Sequence, residues 1–419
     1  MLTCGQATRH VGSRCRAKTC SMRVAIVTES FLPTVNGVTN SVCKVLDYLR
    51  AHGHDAIVIC PAAHAPSQYA GFPVYQVPAI AYREFPVGMP SLQVQRILAN
   101  FSPDVVHAAS PFLLGAQAIA AANRLRVPSV AIFQTDVAGY AQRNHLGPAT
   151  KLAWRFVKWI HDGASLTLVP STASMDDLQS LGVKRLERWA RGVDLQAFHP
   201  NNRLRPDARA LRERLSPEGE IVVGYVGRIA PEKQLERLVQ LAPLAKPSHE
   251  SVDGRRGLPG IRIVVVGDGP ARGQIETLTR GMPVTFLGRL QGAELSAAYA
   301  SFDIFVHTGT EETFGQTLQE AHAAGLPVVA PRAGGPIDLV DDGNTGYLFD
   351  PGSPDELRDL VEDLLVSPLL RRRMGEAGRR AVLGRTWERV CDELMRHYES
   401  VLDVPTLGTA SAHRARLKR

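Results

Sequence analysis

Two glutamates, Glu312 and Glu320, stand with seven residues between them in TGTEETFGQTLQEAHAAGLPVVA (308–330), and Phe314 and Gly315 lie just inside the pair. The spacing alone means little, because Glu is common; the setting gives it meaning. An apolar run ends in a Gly/Thr-rich turn carrying Glu312, a helix carries Glu320 two turns further on, and a second apolar run follows. A helix N-terminus offers unpaired backbone N–H groups to an anion, and Gly315 lets the backbone approach a ligand closely. Glu312 would then face the ligand's reacting end, and Glu320 would reach another part, such as a pair of hydroxyls. The bland alternative is two solvated glutamates on a surface helix.

Two more segments point to an anionic ligand. VGRIAPEKQ (226–234) places Arg228 and Lys233 at a strand's end and the start of a helix, which suits a leaving pyrophosphate; helix-end salt bridges are the alternative. ESFLPTVNGVTNSV (29–42) ends a strand in a Pro/Gly/Asn loop, and Gly37 immediately precedes a helix whose terminus could hold a phosphate. VVGDGPARG (265–273) has the spacing G-x-G-x-x-x-G, and no acidic residue between 277 and 293 could bind a ribose, so a nicotinamide cofactor is excluded while a nucleotide is not. No D-x-D, H-E-x-x-H or paired C-x-x-C occurs, and no metal is expected.

These segments need elements to hold them. RVAIVTE (23–29), DAIVICP (55–61), DVVHAAS (104–110), PSVAIFQTD (128–136) and SLTLVPS (165–171) are short β-branched runs, with helical segments such as 38–52 and 111–125 between them. Continuous apolar strands of this kind belong to parallel sheets covered on both faces. The rhythm pauses at RGVDLQAFHPNNRLRPD (191–207), which reads as a linker. It resumes with IVVGYVGR (221–228), IRIVVVGDG (261–269), VTFLGR (284–289), DIFVHTG (303–309) and PVVAPRAGG (327–335). Residues 246–260 read as an exposed loop, and the chain after Asp350 as mostly helical. The expectation is an α/β protein of two doubly wound, Rossmann-like domains facing a central cleft, where ligands bind at the strands' carboxyl ends.

The 419 residues suit two domains, and 44% hydrophobic with 21% charged residues is an ordinary globular balance. No run is long and apolar enough to span a bilayer. The first 21 residues lack an apolar core and read as a disordered tail, with Met22 as the natural start. Three of the six cysteines fall in that tail, and Cys43, Cys60 and Cys391 read as buried thiols, so a cytoplasmic setting is expected. A net charge of +7 suits a phosphate-bearing ligand or an anionic membrane, and no nucleic-acid motif is present. The segment PATKLAWRFVKWI (148–160) sets Lys151, Arg155 and Lys158 beside Leu152, Phe156, Trp159 and Ile160. It is read first as an amphipathic helix packed on its own sheet and second as a membrane-surface helix.

The set FLPTVNGV, FQTDVAGYA, WARGVDLQAF, VGRIAPEK, VGDGP, EETFGQTLQEAHAAGLPVVAP and AGGPIDLV resembles the family 4 retaining glycosyltransferases over roughly 22–400. Within that family it most resembles the GDP-mannose-dependent α-mannosyltransferases of mycobacteria and corynebacteria that act on glycolipids. The resemblance implies a GT-B fold with a disordered tail over 1–21, an acceptor domain over 22–195 and a nucleotide-sugar domain over 196–385. A crossover helix over 386–403 returns to the first domain, and 404–419 is a disordered basic tail. It implies that Arg228 and Lys233 hold pyrophosphate, Glu320 the ribose and Glu312 the sugar, while Gly37 contacts phosphate. Phe314, Gly315, Gln316 and Thr317 present backbone donors, and Gly267, Gly288 and Arg289 complete the donor site. Many relatives carry His where this sequence has Gln134; the amide can still hydrogen-bond a sugar hydroxyl or a reacting oxygen. Asp136 is then a candidate for orienting the acceptor. The implied activity is mannose transfer from GDP-mannose to a membrane glycolipid, peripheral on the inner face of the plasma membrane. The alternatives are a UDP-sugar enzyme making a sulfolipid- or glucan-type product, or a non-catalytic nucleotide-sugar binder.

Overall fold

A computed structural model describes residues 21–61, 64–82, 85–88, 92–134, 148–246 and 259–403. Two large sheets carry the fold, beside a two-stranded antiparallel pair of Ala79–Tyr82 and Phe85–Gly88. In spatial order the first consists of Leu186–Arg188, Leu166–Val169, Ser129–Ile132, Val105–Ala109, Arg23–Thr28, Asp55–Cys60, Phe72–Gln76 and Gln68–Tyr69. All neighbours are parallel except the last pair. The second runs Val284–Gly288, Ile261–Val266, Ile221–Val226, Ile304–Val306, Val328–Pro331 and Gly346–Phe349, parallel throughout. The buried runs VVHAA and IVVGYV explain the arrangement, because a strand sheltered on both faces needs no polar alternation.

Each sheet starts from a central strand, grows to one side, then crosses back to grow on the other. The reversal falls between Arg23–Thr28 and Val105–Ala109 in the first lobe, and between Ile221–Val226 and Ile304–Val306 in the second. Strand order reverses at these points, so the helices leave in opposite directions and a crevice opens at the carboxyl ends.

Helix Trp387–Leu402 belongs to the first lobe's core although it follows the second lobe in sequence. Its Val390, Cys391, Leu394, Met395 and Tyr398 are buried with Val24, Val42, Leu46 and Val105. Trp189 Nε1 donates to the Val390 carbonyl at 2.9 Å, and the Tyr398 hydroxyl lies 2.5 Å from Nδ1 of buried His107. Among the described residues, Cys43, Cys60 and Cys391 are in no disulfide, and the last two are buried.

Two expectations need correction. The chain after Arg228 does not enter an α-helix at Lys233: Pro231–Lys233 and Leu235–Ala245 are 3-10 segments, Pro243 lying inside the second, where its ring and missing N–H disfavour α geometry. The stretch 191–207 is more than a linker. Val193 N–H donates to the Arg385 carbonyl at 2.8 Å, Pro200–Leu204 forms a 3-10 turn, and helix Pro206–Leu215 has already begun.

Candidate active site

The second lobe's reversal point gathers the charged residues. Strand Ile221–Val226 leads to Arg228 and Lys233, while strand Ile304–Val306 leads through His307 to Glu312. Lys233 Nζ donates to Glu312 Oε2 at 2.7 Å, both side chains being about four-fifths covered. The backbone of each partner is anchored in turn. Thr308 Oγ1 donates to the Lys233 carbonyl at 2.6 Å, and Gly335 N–H donates to the Glu312 carbonyl at 2.6 Å. Burial alone would push the Glu312 carboxyl up, but Lys233, His307 and Arg191 outweigh it and hold the group down at about 2. His307 Nε2 is 3.9 Å from Glu312, and its ring stacks on Tyr225 with 6.5 Å between centroids. Burial lowers that imidazole to about 4, so it carries charge only in the acid range in which Glu312 titrates.

Gly315 turns the chain from Glu312 into the helix. Its φ of +99° lies in the left-handed region that a residue with a Cβ enters only at a cost, which accounts for glycine at this N-cap. Helix Gln316–Ala323 follows, with Phe314 buried beneath it. Glu320 Oε2 accepts from the Tyr299 hydroxyl at 2.8 Å, and Tyr299 also reaches the Thr317 carbonyl at 3.3 Å. Burial raises the Glu320 carboxyl to about 7, with the Tyr299 hydroxyl and Gln316 amide pulling weakly against it.

The remaining donor candidates divide. Arg228 is exposed at the strand end, its carbonyl accepting from the Tyr225 hydroxyl at 3.1 Å. Gly267 and Gly288 end neighbouring strands of the second sheet, and Gly267 N–H donates to the Gly288 carbonyl at 2.8 Å. A Cβ on Gly267 would run into the Gly227 carbonyl, so this glycine serves the contact between strand ends. Arg289 is exposed just beyond.

Across the cleft, Asn36 caps helix Gly37–Ala51, its Oδ1 accepting from Val38 and Thr39 N–H at 3.0 Å each. Gln134 is buried, its carbonyl accepting from Thr313 Oγ1 at 3.3 Å and its Oε1 from Arg191 Nη2 at 3.1 Å. The structure thus brings Glu312, Lys233, Gln134 and the Phe314–Thr317 segment together, with Gly37 reached through Arg191. Asp136 lies outside the described residues. Among the described residues, no group of three or more His, Cys, Asp and Glu side chains is placed to hold a metal ion.

Four residues escaped the sequence reading. Arg191 was hidden in the segment read as a linker, inside WARGVDLQAF. His307 had a signal, a histidine closing an apolar strand. Tyr299 had none, being one polar tip on a buried helix. Glu29, at the first lobe's reversal point, accepts from Phe112 and Gly115 N–H at 2.8 and 2.9 Å and so caps helix Leu113–Leu125, with burial raising its carboxyl. Its place in ESFLPTVNGV was the available signal.

Comparison with known proteins agrees with this geometry. Residues 35–197 match the model of Glycosyltransferase Family 4, and residues 207–381 that of Glycosyl transferases group 1. The chain is 46% identical to a GDP-mannose-dependent alpha-mannosyltransferase of Mycolicibacterium smegmatis, over 93% of this chain and all of the relative. Identity is 43% to its counterpart in Corynebacterium glutamicum, over 91% of this chain and 89% of the relative. The sulfoquinovosyl transferase SQD2 of Arabidopsis thaliana is 37% identical, over 85% of this chain and 69% of the relative. Among solved structures, Anabaena HepE in complex with UDP superposes with a TM-score of 0.71 at 21% identity, covering 90% of this chain and 100% of that one, so the architecture is GT-B. With both lobes matched and full-length relatives above 40% identity, the chain belongs to the family 4 glycosyltransferases.

Proposed function

We propose that this chain transfers mannose from GDP-mannose to a glycolipid, retaining the anomeric configuration. The observation that carries this reading is the Glu312–Lys233 pair at the second lobe's reversal point, in a chain 46% identical to a GDP-mannose-dependent alpha-mannosyltransferase. GDP would lie along the second lobe's strand ends, its diphosphate facing Lys233, Arg228 and the N-terminus of helix Gln316–Ala323, its ribose at Glu320. Glu312 takes the mannose hydroxyls, and Gln134 faces the reacting end from the first lobe. As the bond from the anomeric carbon to the β-phosphate oxygen breaks, negative charge grows on that oxygen. It accepts the proton of the acceptor hydroxyl on the same face of the sugar, and the acceptor oxygen forms the new bond, leaving GDP. The protein's share is charge stabilisation by fixed cations and helix dipole in a site closed to water. Cationic side chains at the diphosphate make the reaction independent of divalent metal, so turnover should persist in excess EDTA.

The glycolipid acceptor draws on helix Pro148–Gly163. Its inner edge, Val157 and Ile160, is buried, while Lys151, Leu152, Arg155 and Trp159 are exposed together, Leu152 at 67% and Trp159 at 59%. Cations flanking apolar tips suit an anionic bilayer surface. Among the described residues no helix is long and apolar enough to cross a membrane. The 37% identity to a sulfoquinovosyl transferase supports the second reading, a different nucleotide sugar in the same cleft.

The test is incubation with GDP-mannose or UDP-sugars and a lipid extract, with products identified by mass. A lipid gaining one hexose from GDP-mannose is the expected result; gain from a UDP-sugar alone would replace the donor assignment, and no gain from any donor would point to a binding protein.

A further inference from the structure

Arg191 lies where the chain passes from one lobe to the other, and its backbone and side chain are held by different lobes. Its carbonyl accepts from Gln319 Nε2 at 2.9 Å, and the Gly192 carbonyl accepts from Gln316 Nε2 at 3.1 Å, both donors on the helix that carries Glu320. The guanidinium points the opposite way. Its Nη2 donates to Gln134 Oε1, and its Nη1 rests on Gly37, where an added Cβ would stand 2.5 Å away. Its Nε is buried and finds no partner among the described residues. Burial disfavours the charge, and the nearby Glu312 carboxylate opposes that loss.

A guanidinium carries five donors in a planar fork, and a half-buried cation whose one side-chain hydrogen bond among the described residues goes to a neutral amide is under-satisfied. The acceptor that matches the fork is a phosphate. Gln134 and the N-terminus of helix Gly37–Ala51 border the fork, with Glu312 near enough to act on its charge, and the transfer reading above places the breaking bond among these groups.

We propose that Arg191 is a catalytic residue that donates to the leaving diphosphate from the lobe boundary, and that position 37 is glycine in order to seat its guanidinium. The proposal rests on the transfer reading above. It adds a cation to Lys233 and Arg228, oriented by Gln134 and locked to the donor helix through its own backbone. Because the backbone near Arg191 is tied to one lobe and the side chain to the other, the fork is in place only when the lobes hold this relation.

The test is steady-state kinetics of Arg191→Gln, Gly37→Ala and the double variant, using the nucleotide sugar that the wild type turns over. Arg191→Gln should lose roughly 10²–10³-fold in kcat with donor KM within a few-fold, since the charge it answers develops during reaction. The nearest atoms to an added Cβ in Gly37→Ala are those at the far end of the Arg191 side chain and no backbone, so the fold should hold while kcat falls about tenfold by displacing the fork. The double variant should be no slower than Arg191→Gln alone, because no guanidinium remains to displace. Independent, additive losses would overturn the seating of Arg191 on Gly37, and an Arg191→Gln variant within threefold of wild type would overturn its catalytic role. If Arg191→Gln melts well below wild type, Arg191→Lys, which keeps charge and stem, takes over. A folded Lys variant at least tenfold slower supports the proposal, and one at wild-type kcat overturns it. Arg191→Gly adds a readout that a structural role would not move: guanidinium ion should restore part of kcat where sodium at equal ionic strength does not, and no rescue in a folded variant counts against it. Failure of the donor assignment would appear separately, as wild-type turnover of a UDP-sugar with the same Arg191 dependence.

Discussion

The turn that holds Glu312 and the helix that holds Glu320 present the same side chain in similar shelter, yet their carboxyls move in opposite directions. Burial pushes both up. At Glu312 the Lys233 ammonium and the neighbouring His307 and Arg191 overcome it, leaving a fixed anion at about 2. At Glu320 the opposing partners are a tyrosine hydroxyl and an amide, and the group stays near 7. The difference teaches that a buried carboxylate's charge follows from whether its partners are cations, and that neutral donors do not substitute for them. One group is therefore committed as an anion before any ligand arrives. The other can release a proton when ribose hydroxyls or a nearby positive charge favour the ionised form.

The comparison breaks first at Glu312. Glu312→Gln should lower kcat by roughly 10²–10³-fold while leaving GDP affinity within a few-fold, because the carboxylate serves the sugar and the charge developing beside it. Calorimetric titration with GDP, which lacks the sugar, is the control; lost GDP binding would reverse the assignment of the two glutamates.

Lys233→Ala comes next. It removes a charge-assisted partner of the diphosphate worth about 1.5–3 kcal/mol, so kcat/KM should fall roughly 10–150-fold. It also leaves Glu312 buried without its main cation, and that carboxyl must rise from about 2. The variant's pH–rate profile should gain an acidic limb closer to neutrality than the wild type shows; an unchanged profile would mean that other groups hold Glu312 down.

Glu320→Gln sharpens the comparison through stability. The folded value of Glu320, about 7, lies above its ordinary 4.5, so the folded state keeps a proton that the unfolded chain loses, and stability falls as pH rises across that window. Glu312 runs the other way: its folded value lies below 4.5, so its contribution is present above 4.5 and is lost as pH falls toward 2. Glutamine at 320 does not titrate. The difference in Tm between Glu320→Gln and wild type should shift in the variant's favour between about pH 5 and about pH 8. GDP binding should weaken by roughly tenfold, the size of one lost ribose contact. A Tm difference that is flat in pH would remove Glu320 from the titrating groups.

The smallest effect belongs to Tyr299→Phe. It deletes a hydroxyl that donates to Glu320, leaves the ring packed against Phe198 and Phe305, and should cost about 1 kcal/mol in urea unfolding. The Glu320 carboxyl should titrate still higher, moving the pH window just described upward.

The two lobes were legible in the sequence because their central strands are unbroken β-branched runs, a pattern with few other homes. The edges were less so. Leu186–Arg188 has partly exposed polar positions, and Gly346–Phe349 follows an Asp/Gly/Asn turn without a β-branched residue of its own. Glu312, Lys233 and Glu320 could be proposed because strand-to-helix turns carry their chemistry locally, in residues adjacent in sequence. Arg191 could not, since its meaning comes from Gly37 and Gln134, more than fifty residues away, and a local polar pattern there reads as connection. Arg228 and Lys233 looked equivalent by position, but folding buries Lys233 against Glu312 and leaves Arg228 exposed.

Helix Trp387–Leu402 carries a consequence for how the protein is made. During synthesis the first lobe emerges from the ribosome with its sheet complete but with one side of its core uncovered, since Val390, Leu394 and Tyr398 have not yet been translated. The second lobe's core is complete earlier, once Leu357, Leu364, Met374 and Val382 have followed its last strand. The lobe encoded first should therefore mature last, and a released chain ending between Val382 and Trp387 should be cut by protease in its N-terminal half while the C-terminal half resists.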